Sequence, residues 1–211
     1  MGIYTVKITG DFTRIDFYAG GSSTDRYKIL SIESWGDIEW HSMEWAFYDC
    51  ENLILNTATV PDFSQLTSLV SMFRAASSFQ GGSITNWEVS NVTDMSEMFY
   101  GATKFNGDIG NWDVLNVQKM GRMFQETYDF NQDIGNWDVS NVTEMYCMFE
   151  TTEWFSQDLS SWDVSSVTNM WRMFKDALSF SGDLSGWNVL NVTNYVDFAT
   201  GSGGIIEPDW P

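Results

Sequence analysis

Histidine is nearly absent from this chain: His41 stands alone among 211 residues. A single imidazole removes most general acid–base chemistry and most histidine-based metal chemistry. Cysteine is almost as scarce, with only Cys50 and Cys147, so no disulfide framework is available. They fall in different repeats and are expected to be free thiols. Basic residues are few, 10 Lys and Arg against 29 Asp and Glu, for a formal charge of -19. Such a surface repels phosphate backbones and anionic lipid, so neither nucleic acid nor a membrane surface is an expected partner. No run of 18 apolar residues occurs, so no membrane-spanning helix is expected. The opening Met1-Gly2-Ile3-Tyr4 is not a basic-then-apolar stretch, and no secretory signal is expected there. Aromatic residues are what the chain has in quantity, 11 Trp, 8 Tyr and 15 Phe, which excludes a disordered chain.

Those aromatics are periodic. Trp87, Trp112, Trp137, Trp162 and Trp187 follow one another at intervals of 25 residues. Each sits in one pattern, complete in Ile109, Trp112, Val114, Val117, Met120, Met123, Phe124 and Phe130. Ten of the eleven Met and eleven of the fifteen Phe occupy these columns, far beyond chance. Upstream the frame persists in degraded form. Trp35, Met43, Ala46, Phe47 and Leu53 make one unit; Pro61, Leu69, Met72, Phe73 and Phe79 make the next. Seven units result, keyed on residues 35, 61, 87, 112, 137, 162 and 187.

A unit this short cannot bury its own Trp, Met and Phe, so neighbours must stack. Trp112 and Val114 are spaced for one face of a strand, and Met120, Met123 and Phe124 for one face of a helical turn. Ser90 or Asn91 and their counterparts are suitable caps for that turn. The expected fold is therefore a right-handed α/β solenoid with a parallel β-sheet on one side and short helical turns on the other. Residues 1–30 read as an N-terminal β cap (Ile3, Thr5, Lys7, then Arg14, Asp16 and Gly20-Gly21), 31–200 as the solenoid and 201–211 as a tail. Tyr195 and an early Phe198 mark the last unit as modified.

Ile109-Gly110-Asn111-Trp112-Asp113-Val114 follows the leucine-rich-repeat frame, with Trp in the second apolar slot. The phrase Asn136-Trp137-Asp138-Val139-Ser140-Asn141-Val142-Thr143, followed by Met145 and Met148-Phe149, resembles BspA-like leucine-rich-repeat surface proteins. That family has 25-to-26-residue repeats, is found on bacteria and mycoplasmas, and has counterparts encoded by phages. The resemblance implies an extracellular, cell-surface or virion-associated protein that binds a host or bacterial surface protein or glycan. It implies neither a common ligand nor catalytic residues. Typical cell-surface members carry a lipoprotein Cys or a wall-anchor tail; neither is expected here, and a phage structural protein would need neither.

Within the repeat, two acidic columns are candidate sites. Asp108, Asp133, Asp158 and Asp183 could offer oxygen ligands to Ca²⁺, or could each accept backbone N–H groups in a tight turn. No spacing matches a known calcium loop, so no cofactor is expected and the turn role is favoured. Asp113, Asp138 and Asp163, with Glu88 and Asn188, form the second column, either a solvated face or a docking surface. Columns where the repeat varies carry Tyr100, Tyr128, Tyr146, Trp154 and Trp171, aromatics that the architecture does not require. They are candidates for recognition, or else cover a neighbouring unit. Asn91, Asn141 and Asn191 begin glycosylation sequons, but each occupies a repeat column. Carboxylate pairs recur in every unit, whereas a catalytic site should break the repeat once, so no enzyme is expected. The expected function is recognition or adhesion, with a ligand-free structural scaffold as the alternative.

Overall fold

The computed structural model describes residues 13–18 and 24–211. The expected β ribbon falls mostly outside them, and within them Asp25–Lys28 is a 3-10 turn rather than a strand. Two strands pair in parallel: β1, Ser31–Ile32, and β2, Ile54–Leu55. One more 3-10 turn covers Ile84–Asn86. Everything else among the described residues is turn, isolated bridge or irregular backbone.

This overturns the α/β solenoid with its sheet and helical turns. The reason lies in the dihedrals. Met120 and Met123 do share a buried face, but Arg122 between them has φ +58° and Glu126 φ +57°. A left-handed residue ends a helix, so the segment makes successive tight turns instead. Met123, Gln125 and Thr127 N–H groups close back on the carbonyls three residues earlier, at 3.2, 3.2 and 3.1 Å. The alternate amides reach the following unit: Met120 to Glu144, Arg122 to Tyr146, Phe124 to Met148 and Glu126 to Glu150, all at 2.8–3.0 Å. The Trp112–Val114 segment is equally unlike a strand. Turns at Ile109–Trp112 and Val114–Val117 leave it three residues long. The parallel bridges run elsewhere, through Ser68, Asp94, Lys119, Glu144, Asn169 and Asn194.

The 25-residue period thus sets which residues meet without building regular elements. Phe73, Phe99, Phe124, Phe149 and Phe174 stack face to face at 5.3–5.9 Å between ring centroids. Phe79, Phe105, Phe130, Phe155 and Phe180 make a second column at 5.6–5.8 Å. Each such pair contributes roughly 0.5–1.5 kcal/mol beyond the area it buries. Four indoles are fastened to the preceding unit. Trp112, Trp137, Trp162 and Trp187 donate Nε1–H to the carbonyls of Ile84, Ile109, Ile134 and Leu159, at 3.0–3.1 Å. Trp87, at the edge of the degraded units, finds no acceptor among the described residues.

The sequon residues serve the same stacking. Asn91, Asn141 and Asn191 donate Nδ2–H to carbonyls of Ser64, Leu115 and Ser165. Thr93, Thr143 and Thr193 donate Oγ1–H to Thr67, Gln118 and Thr168. No helix follows, so Asn91 caps nothing; it joins two units. At the far end Trp210 folds back, stacked on Tyr195 at 4.5 Å and edge-on to Phe198 at 4.8 Å. Cys50 and Cys147 are both buried and free. Burial pushes each thiol up to about 12, so neither is a nucleophile at neutral pH.

Candidate functional site: an aromatic and arginine strip

The turn segment that joins the units also carries the side chains that vary. Tyr146 lies over Gly121, where a Cβ would overlap its ring, so glycine is what lets the tyrosine lie flat. Tyr100, Tyr146 and Trp171 all belong to this segment and are half-buried. Each sits beside an arginine. The Arg74 guanidinium is 4.6 Å from the Tyr100 ring, Arg122 is 5.8 Å from Tyr146, and Arg172 is 4.5 Å from Trp171. Arg74 also lies 5.8 Å from Trp45 and 5.9 Å from Tyr48, and Arg26 lies 5.7 Å from Tyr48. Four of the five arginines in the chain therefore line one strip of tyrosine and tryptophan.

Acidic partners hold three of these cations in place, Arg26 beside Asp49 at 3.0 Å being the first. Arg74 pairs with Glu97, and Arg172 with Asp197 at 3.3 Å. The nearly buried Glu150 accepts from Gln125 at 2.8 Å and lies 3.7 Å from Lys175 and 3.9 Å from Arg172. Desolvation raises the phenol pKa of Tyr100 and Tyr146, keeping both rings neutral hydrogen-bond donors. The sequence alone left Arg26, Trp45, Tyr48, Arg74, Arg122 and Arg172 unmarked. The available signal was that Arg74 shares a repeat column with Tyr48 and Tyr100, and Arg122 and Arg172 share one with Trp45.

Tyr128 and Trp154 are not part of this strip. They lie further along their units, joined by the Trp154 N–H to the Tyr128 carbonyl at 3.2 Å. Tyr128 is half-buried, whereas Trp154 is 61% exposed.

The acidic columns are occupied by the backbone. Asp108, Asp133, Asp158 and Asp183 accept N–H from the residue two ahead (Gly110, Gly135, Ser160 and Ser185) at 2.9–3.3 Å. Asp113, Asp138 and Asp163 do the same with Leu115, Ser140 and Ser165 at 3.0–3.2 Å. The Ser140 hydroxyl and N–H hold Asp138 below the usual carboxylate pKa, and the Ser160 N–H does so for Asp158. A depressed native pKa stabilises the fold above the ordinary carboxyl value near ~3.9, and that contribution disappears as pH falls through the native value. Among the described residues, no three His, Cys, Asp or Glu side chains converge on a point where a metal could sit.

Charge repulsion between units opposes these hydrogen bonds. Asp163, one unit on from Asp138, raises the cost of ionising it, but by less than the Ser140 hydrogen bonds lower that cost. With a net charge of -19, the melting temperature is expected to rise between low salt and about 0.5 M NaCl, where the Debye length is well under 10 Å. NaCl and CaCl₂ at matched ionic strength should act alike in differential scanning calorimetry. A steep midpoint increase at micromolar Ca²⁺, reversed by chelator, would show that one carboxylate column holds metal.

Among the described residues no helix is long and apolar enough to cross a membrane. No curated protein and no solved structure matches the chain significantly. One family profile does match, over residues 41–146 and again over 131–202, a division that reflects the internal repeat. With most of its length so covered, the chain belongs to the family described as Mycoplasma protein of unknown function, DUF285.

Proposed function

We propose that this chain is a non-enzymatic recognition module of the BspA-like surface-protein kind, acting outside the cell or on a virion and docking a protein through the aromatic and arginine strip. The observation that carries this reading is the concentration of four arginines against Tyr48, Tyr100, Tyr146 and Trp171. Trp, Tyr and Arg are the side chains that dominate binding energy at protein interfaces. Ion pairing with Glu97, Glu150 and Asp197 fixes the orientation of Arg74 and Arg172, so less rotamer freedom is lost there on binding. The side chains also break the repeat, as recognition requires and stacking does not. Catalysis is left out because the acidic columns are spent on backbone turns and both thiols are buried.

Pull-down from host-cell surface extract, run beside a glycan array, tests this reading. Wild-type protein is expected to capture a protein that Trp171→Ala or Arg122→Ala captures at least tenfold less well, since hot-spot truncations cost about 2 kcal/mol or more. Equal capture by wild type and both variants, or no capture by any of them, would favour a spacer without a specific ligand.

A further inference from the structure

The exposed indole of Trp154 belongs to a separate feature. It borders an open cleft of about 570 Å³ lined by Gln80, Lys104, Asn106, Asp129 and Trp154. That volume lies within the ordinary range for small-ligand sites. Lys104, Asp129 and Trp154 occupy one column in three successive units, and Gln80 and Asn106 share another. Each residue is placed by the stack, yet none of the three in the first column repeats its neighbour.

The chemistry of the lining is specific. The Asn106 side-chain oxygen accepts from Asn131 N–H at 3.0 Å and from Gln132 Nε2–H at 2.9 Å. Its Nδ2 donors have no partner among the described residues, and neither do the side chains of Gln80, Lys104 and Asp129. One flat apolar ring thus faces two carboxamides, one ammonium and one carboxylate, all with unused hydrogen-bonding capacity. A single exposed ring ringed by polar groups is too small an apolar patch for a protein anchor. It suits a ring with an apolar face and a hydroxylated edge. The two charges in the cleft cancel, and the chain as a whole repels anions.

We propose that this cleft binds a neutral saccharide, one sugar face stacked on Trp154 and its hydroxyls bonded by Gln80, Lys104, Asn106 and Asp129. Such a stack resembles other aromatic contacts, in which the ring supplies area and the polar rim supplies orientation. The site is independent of the arginine strip, from which buried Phe149 and Thr152 separate it along the chain.

Native electrophoresis through gels containing dextran, mannan, galactan or xylan tests the proposal, with calorimetric titration of the matching oligosaccharide. Wild-type protein is expected to be retarded in at least one gel. Trp154→Ala should weaken that binding by about tenfold or more, while Trp154→Phe keeps part of it, as for an aromatic anchor. The melting temperature of Trp154→Ala and its capture of a protein partner should both stay at the wild-type level. No retardation by any of the four polysaccharides, or equal retardation of Trp154→Ala, overturns the sugar site. Either result leaves the pull-down outcome standing, so the two readings fail separately.

Discussion

Trp137→Ala is expected to lower stability by about 3–5 kcal/mol, the range for removing a large buried ring. Trp137 is buried and packs 6.4 Å from the Phe124 ring, in the middle of the stack. Its loss leaves a cavity between units and leaves the Ile109 carbonyl without the Nε1–H donor it accepts at 3.1 Å. For a chain of this length the melting temperature should fall by roughly 6–20 °C. Scanning calorimetry or circular dichroism reads the shift directly. Trp154→Ala removes the same side chain from an exposed position and should change stability by no more than about 0.5 kcal/mol. If the two variants melt together, the tryptophan column does not hold the units.

Gly81→Ala should be comparably severe, for a different reason. Gly81 has φ +104°, a conformation open to glycine and strained for any other residue. A Cβ there would overlap the Cα of Gly107 in the next unit, and backbone on both sides cannot give way as a flexible side chain can. Strain and overpacking together are expected to cost about 2–6 kcal/mol. Gly186→Ala supplies the control, because nothing lies within 4 Å of its Cβ position and its φ is not left-handed. Urea denaturation of the two variants should separate their midpoints clearly. Coincident midpoints would mean that the units can shift apart at the Gly81–Gly107 contact without loss.

These two positions show what the sequence discloses. The Trp, Met and Phe columns announced themselves by spacing, and every one of the five 25-residue-spaced tryptophans is buried. Their secondary structure departs from the expected one because apolar spacing does not reveal the sign of φ. Met120, Met123 and Phe124 satisfy a helical face, yet Arg122 and Glu126 are left-handed, and neither residue type advertises that geometry. Trp-x-Val satisfies a strand face, yet the turns on either side leave no room for a ladder. The cost of a left-handed non-glycine residue, roughly 1–2 kcal/mol, is offset by the inter-unit hydrogen bonds that its placement allows. Propensity within one unit cannot anticipate a bond to another.

The site was legible in part for a related reason. Tyr100, Tyr146 and Trp171 stood out as aromatics off the repeating columns, and they do share one segment. Tyr128 and Trp154 stood out equally but belong elsewhere. Arg74, Arg122 and Arg172 escaped notice because an arginine on an acidic surface reads as charge balance. Only coordinates show that each guanidinium lies beside an aromatic ring. The Asp113, Asp138 and Asp163 column, read as a possible docking face, is tied to its own turns, and so are Asp108, Asp133, Asp158 and Asp183.

The hydrogen bonds between units have a mechanical consequence. Met120, Arg122, Phe124 and Glu126 donate only to the adjacent unit, and the tryptophan indoles accept that same limit in the other direction. Under tension the boundaries can therefore yield one at a time, rather than the whole molecule shearing at once. Each boundary that yields releases 25 residues, or about 80–90 Å of extended chain at ~3.3–3.6 Å per residue. A molecule fixed at one end and bound at the other would lengthen in equal increments under load. Its terminal units, packed against a neighbour on one side only, would open before the interior ones, and each opening would dissipate work before the bound partner was pulled free.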